Sequence, residues 1–321
     1  MSSLLEVKDL KKYFPISGGL LKRAVGQVKA VDGISFEVGI GETLGLVGES
    51  GCGKSTTGRM IARVMEPTGG NIKFDGIDIS KLKGKKLKEI RSNLQMVFQD
   101  PYASLNPKMA IQSIIAEPLE VNGIAKGKEL IHRVNELLET VGLRPEDRQK
   151  YPHEFSGGQR QRIGIARSLA LNPKLIVADE VVSALDVSVQ SQILNLMVEL
   201  KKKRQLSYIF ISHNLSVIRH ISDRVGVMYL GNLVEIAGKK DFFNNALHPY
   251  SQALLSAAPE PTRNSGRERI LLQGEVPSPA NPPKGCPFHT RCPLAMKICS
   301  QEKPIMKERE PSHFVACHLY N

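Results

Sequence analysis

At 321 residues, 41% hydrophobic and 24% charged, the chain carries enough apolar material for one large domain and an appendage. No run reaches the roughly eighteen apolar residues of a membrane span, and Met1–Glu6 lacks the basic and apolar regions of a secretory signal. The formal charge of +12 has no base-recognition motif or tryptophan to accompany it, so no nucleic-acid partner is expected. Part of the excess lies in Lys81–Lys88, which reads as a solvated helix face weakly attracted to an anionic membrane surface.

In chain order, Leu4–Asp9 alternates as an edge strand. A Gly- and Lys-containing loop follows Phe14-Pro15 to about Val28, and Val31–Val38 is a second strand. Thr43–Val47 is a short buried strand running into Gly48-Glu49-Ser50-Gly51-Cys52-Gly53-Lys54-Ser55-Thr56 and a helix over Lys54–Met65, closed by Pro67. From about Lys85 to Gly142 the pattern is mostly helical, as over Glu129–Val141, where Leu130, Val134, Leu137, Leu138 and Val141 share a side. A further helical run, Arg160–Leu171, follows Ser156-Gly157-Gly158-Gln159. Leu175–Ala178 and Ser207–Ile211 are buried strands, Val189–Lys203 and Leu215–Ile221 helices, and Val225–Tyr229 with Leu233–Ala237 a hairpin around Gly231-Asn232. The sequence therefore reads as an α/β sheet core interrupted by a helical insertion at about 90–165. A main domain is expected over 1–240, a helical extension or linker over 241–275, and a cysteine-rich module over 276–321, entered through Pro277, Pro279, Pro282 and Pro283.

Strand, glycine loop and helix in that order make a nucleoside triphosphate site. The loop N–H groups and the helix dipole face the phosphates, Lys54 reaches the β- and γ-phosphates, and the Ser55 hydroxyl ligates Mg²⁺. Cys52 reads as a small filler within the loop. Asp179 ends an apolar strand, where a carboxylate suits Mg²⁺, and the adjacent Glu180 suits a general base for the attacking water. Either carboxylate alone is more often a helix cap or an ion-pair partner. Two glycines beside Ser156, ahead of a helix, leave N–H groups and a hydroxyl free to approach phosphate. His213 and Gln99 close strands, positions at which such residues are usually structural, and Tyr13 has an aromatic face that suits either adenine or a core.

Taken together and in order, Tyr13, Gly48–Thr56, Gln99, Ser156–Gln159, Asp179-Glu180, Ser183–Asp186 and His213 resemble the motif set of the ATP-binding-cassette ATPases. The resemblance implies a RecA-like phosphate-loop core with an antiparallel β subdomain and a helical signature subdomain. It assigns adenine stacking to Tyr13, Mg²⁺ contact to Gln99, and γ-phosphate contact to His213. It also implies a dimer in which Ser156-Gly157-Gly158-Gln159 of one cassette closes over the ATP held by the other. Lys12-Tyr13-Phe14-Pro15, Asp100–Pro107, Ser183–Gln190 and His248–Leu255 are similar to the dipeptide/oligopeptide importer ATPases, of the F type. This implies a D-type or identical ATPase partner, two permeases fed by an external peptide-binding protein, and a place on the cytoplasmic face of the cell membrane. Val181 departs from the proline usual there, leaving a freer turn without removing a catalytic group. Rival expectations are a soluble cassette ATPase acting on ribosomes or DNA, and the same importer type carrying nickel or glutathione.

Cys286, Cys292, Cys299 and Cys317 stand as C-x5-C-x6-C-x17-C. In a chain expected in the cytosol this favours metal over disulfides, and four thiolates suit zinc or an iron–sulfur cluster. His289, His313 and His318 keep a mixed zinc site open. The string from Cys286 to Pro304 resembles the carboxy-terminal module of peptide-importer ATPases, which implies a 4Fe-4S cluster in a structural role.

Overall fold

A computed structural model describes residues 3–18, 23–257 and 270–320. The chain divides into two compact units, one of Met1–Gly39, Thr43–Lys81 and Phe210–Asn321, the other of Ile40–Glu42 and Leu82–Ile209.

The first unit opens with β1 (Ser3–Gly18) antiparallel to β2 (Arg23–Gly39). Every second residue of β2 from Ile34 to Val38 is buried, the period of a half-covered sheet. Strand pairing continues where a loop was expected, with Phe14 opposite Val28 and Pro15 opposite Gln27. Pro15 is tolerated there because β1 has lost its other neighbour, β4, whose register ends at Lys11 opposite Gly69. The buried strand β3 (Thr43–Val47) leads through the glycine loop to α1 (Lys54–Ile61). That helix stops earlier than expected, because Arg63 takes a left-handed backbone at φ 53° well before Pro67. Then β4 (Gly69–Phe74) and β5 (Ile77–Asp78) complete a four-stranded sheet in the order β2-β1-β4-β5.

The second unit begins with α2 (Gly84–Asn93), which takes in all of the basic run Lys81–Lys88 except its first three residues. It continues through β6 (Leu94–Val97) and a single turn, α3 (Pro101–Ser104), to α4 (Ile111–Val121) and α5 (Gly127–Thr140). On α5 the expected Leu130, Val134, Leu137 and Leu138 form the buried face. Next come α6 (Gly157–Leu169), β7 (Leu175–Asp179), which pairs parallel to β6, and α7 (Val187–Arg204). The chain passes back to the first unit within β8 (Ser207–Ile211).

Returned, it forms α8 (Leu215–Ile221), the hairpin β9 (Arg224–Tyr229) and β10 (Asn232–Gly238), then α9 (Lys239–Asn244) and α10 (Pro249–Ala257). β9 lies parallel to β3. The carboxy-terminal strands β11 (Lys307–Glu310) and β12 (His313–Val315) extend this sheet beyond β10, with Glu235 opposite Val315. Residues 276–321 thus share the compact unit of the glycine loop. Residues 258–269 of the expected linker lie outside the described residues.

One buried carboxylate holds that join. Glu235 is fully buried; it faces His313 Nε2 at 2.7 Å and accepts from the Leu247 and His248 N–H groups at 2.8 and 2.9 Å. A carboxylate in the apolar strand Leu233–Ala237 is stable only with such partners, and removing one costs about 3–5 kcal/mol.

Candidate nucleotide site

The glycine loop is a strand-to-helix turn that cannot cap itself. Its N-cap is Gly53, which has no side chain to offer and a φ of 104° that suits only glycine. A Cβ at Gly53 would also lie 2.2 Å from the Ala30 carbonyl oxygen. Long-range bonds hold the loop instead. The Cys52 carbonyl accepts from Gly231 N at 3.0 Å, and the Glu49 N–H donates to the Tyr250 hydroxyl at 2.9 Å. Lys54 is buried and curls back, its Nζ donating to the Gly48 and Glu49 carbonyls at 2.7 and 3.0 Å. A γ-phosphate would offer that ammonium a stronger, charged acceptor. Cys52 is buried with Sγ 3.7 Å from Lys54 Nζ, and burial pushes its thiol pKa up, in line with a filler.

The second unit brings Gln99 and Glu180 together: Gln99 Nε2 donates to Glu180 Oε2 at 2.8 Å. Glu180 holds a left-handed backbone, φ 47°, which non-glycine residues seldom adopt. The strain is offset by Ser183, whose N–H and hydroxyl both donate to the Glu180 carbonyl, at 3.1 and 2.9 Å. Asp179, just before it, is only 1% exposed at the end of β7. Val181 and Val182 behind it are buried.

Ser156 is the N-cap of α6 and closes a capping box. Its hydroxyl accepts from Gln159 N at 3.3 Å, and Gln159 Oε1 accepts from Ser156 N at 3.0 Å. Gly158 faces α7 so closely that a Cβ would lie 2.3 Å from Val189 Cγ1. The exposed Ser156 therefore heads a helix whose free N–H groups suit phosphate.

In the first unit, Tyr13 is tied through its hydroxyl to Asp32, and Lys29 Nζ stands 5.6 Å from its ring centroid. Burial, then the Asp32 hydrogen bond, raises the Tyr13 pKa. His213 is exposed at the end of β8, in a turn fixed by Ser212 N donating to the Leu46 carbonyl at 3.1 Å.

The four tail cysteines gather. Burial raises the Cys286 thiol to about 11, and Cys299, Cys317 and Cys292 all add to the effect through their charge. Burial raises Cys292 and Cys317 as well, so these three are protonated as bare thiols near neutrality. Among the described residues, however, no three His, Cys, Asp or Glu side chains are grouped so as to hold a metal ion. The donor chemistry fits a soft metal, zinc or a cluster, while the grouping forms a site for neither among the described residues. Of the three histidines, His289 Nδ1 lies 2.8 Å from the Cys286 carbonyl, His313 pairs with Glu235, and His318 Nε2 lies 2.9 Å from the Glu302 carbonyl.

Sequence reasoning missed Arg291, Tyr250, Glu235 and the Asp32–Lys303 pair, all acting across long stretches of chain. The charged Glu235 inside an apolar strand was the one local signal.

Comparison with known proteins places these features in context. Residues 31–183 match the ABC transporter family, and residues 234–299 match the oligopeptide/dipeptide transporter C-terminal region. The chain is 62% identical to the oligopeptide transport ATP-binding protein AppF of Bacillus subtilis, over 99% of this chain and 98% of that one. It is 54% identical to the putative oligopeptide transport ATP-binding protein YkfD of the same organism, over 99% and 95%. Among solved structures it resembles a dimeric post-hydrolysis state of the ATP-binding cassette MJ0796 bound to ADP and Pi. There the TM-score is 0.65 and the identity 27%, over 73% of this chain and 98% of that one. It is also similar to cbiO1 of Clostridium perfringens, part of the ABC transporter complex cbiONQ, at TM-score 0.65 and 26% identity, over 76% and 92%.

Proposed function

The chain belongs to the ATP-binding subunits of ABC-type oligopeptide transporters, and we propose that it hydrolyses ATP to drive peptide import through two membrane permeases. The observation that carries the reading is Glu180, held in a left-handed backbone with its carboxylate gripped by Gln99, directly after the buried Asp179. Glu180 takes the proton of the attacking water, and Gln99 orients that carboxylate. Lys54 leaves its loop carbonyls for the β- and γ-phosphates, while Gly48–Thr56 wraps them with N–H groups. Ser55, Asp179 and the amide oxygen of Gln99 suit Mg²⁺, which supplies neutralisation of phosphate charge. Tyr13 is the stacking surface for adenine and His213 the contact to the γ-phosphate.

Each cassette lacks a lid over its own ATP, and Ser156-Gly157-Gly158-Gln159 of a D-type or identical partner provides it. Dimerisation in the MJ0796 cassette supports this arrangement. The permeases are met by the Gln99–Asn106 segment, where Tyr102 is 64% exposed. No described helix is long and apolar enough to cross a membrane, so attachment to the cytoplasmic face is through the permeases. Nickel and glutathione are alternative cargoes. Cys286, Cys292, Cys299 and Cys317 are the donors for a 4Fe-4S cluster; four thiols near enough for Cys292, Cys299 and Cys317 to raise the Cys286 pKa support that reading. No step of ATP hydrolysis runs through that cluster. In the whole transporter reconstituted in vesicles, Glu180→Gln is expected to keep ATP binding and lower hydrolysis about 100-fold or more. Peptide uptake should stop with it. Unchanged hydrolysis would remove Glu180 from the base role, and uptake of nickel but not peptide would replace the cargo.

A further inference from the structure

We infer that Arg291 is a positioning residue of the phosphate loop, through which the cysteine-bearing tail sets the affinity for ATP. The inference rests on the loop being the ATP site and adds a residue far from it in sequence. Arg291 Nη1 and Nη2 donate to the two carboxylate oxygens of Glu49 at 2.8 and 3.1 Å, a bidentate pair at the start of the glycine loop. The arginine side chain is only 9% exposed, so the pair is well shielded from solvent at that end.

A plain anchoring role for Arg291 is redundant. Phe288 is 1% exposed and packs edge-on to Tyr229 and at a tilt to Tyr250 and His248. Pairing of β12 with β10 and the Glu235–His313 contact fasten the tail a second time. The loop, by contrast, is poorly backed on this side. Glu49, Ser50, Gly51 and Cys52 border a cavity of about 220 Å³ that Val276 and Pro277 also line. Bound bidentately to Glu49, the guanidinium is a brace of fixed shape, which a point-charge lysine would not reproduce. At the expected adenine end, Lys303 of the tail makes a simpler contact, with Nζ 3.2 Å from the Asp32 carboxylate that holds Tyr13. The tail thus grips the expected phosphate and adenine ends together. Coupling of this kind is reciprocal, so bound nucleotide should tighten the tail.

The test uses the purified full chain and a fluorescent ATP analogue. Arg291→Ala is expected to weaken binding about tenfold, with Arg291→Lys between it and the native chain. Glu49→Ala should weaken binding similarly, and the double variant no further than either single one, since both act through one contact. Deuterium uptake over residues 286–299 should fall on adding the analogue to the native chain, and far less in Arg291→Lys. Unchanged binding in Arg291→Ala, or losses that add in the double variant, would overturn the inference. Should Arg291→Ala not fold, Arg291→Lys and Glu49→Gln decide it in the same way. Failure of the native chain to bind ATP would instead sink the ATPase reading itself.

Discussion

The phosphate loop and the Ser156 turn both present a glycine-rich approach to a helix N-terminus, yet they are held in opposite ways. The Ser156 turn is self-contained: its capping box closes within four residues, and Gly158 rests directly on α7. The phosphate loop has no side-chain cap and borrows its support from Gly231, Tyr250 and Arg291, all far along the chain. A self-closing turn keeps its shape when its surroundings move, which suits a lid. A loop braced from outside can change affinity when the brace changes, which suits a site that must bind and release nucleotide in each cycle.

The largest effect that sharpens this contrast is on the brace. His248 lies beside Tyr250 and accepts from its N–H at 3.1 Å through Nδ1; burial lowers its pKa from the ordinary 6.5 to about 4. A histidine with a depressed folded pKa is neutral in the fold and takes a proton more readily unfolded. Its stabilising effect is therefore complete above about pH 6.5 and is lost as the pH falls toward 4. Between pH 7 and 5 the loss is about 2 kcal/mol, read by thermal or urea unfolding. His248→Asn, which keeps an acceptor without a titrating ring, should flatten that slope; an unchanged slope would place the titration elsewhere.

Next in size is the cap. Ser156→Ala should cost about 1 kcal/mol of stability, while ATP affinity of the isolated chain stays as it was, because the turn does not hold the loop. A fall in that affinity would break the contrast. The smallest effect is Tyr250→Phe, which removes the acceptor for Glu49 N and should weaken ATP binding about three- to fivefold, near 1 kcal/mol. Equal binding would show that the loop needs no help from α10.

What the sequence made legible follows the same division. Gly48–Ser55, Ser156–Gln159 and Asp179-Glu180 are read from adjacent residues because their chemistry needs adjacent residues, and the buried strands around them announce themselves by composition. The long β1–β2 hairpin was partly hidden, since Pro15 argues against a strand until β4 is known to have ended. Arg291 gave no signal at all: beside a cysteine it reads as tail chemistry, and its partner Glu49 lies 242 positions away. The Cys286–Cys317 spacing reads as a soft-metal set, yet among the described residues no three such side chains group as a metal site; how they group depends on how β12 docks on β10, which spacing does not encode.

The account stands or falls on whether two cassettes make one site, and turnover per chain against chain concentration, with association state followed by sedimentation, tests it most directly. If each cradle needs its neighbour's Ser156 turn, hydrolysis per chain rises as chains pair, by self-association or with the partner cassette added, and vanishes on dilution to the monomer. A monomer that hydrolyses ATP at the same rate at every dilution would contradict it.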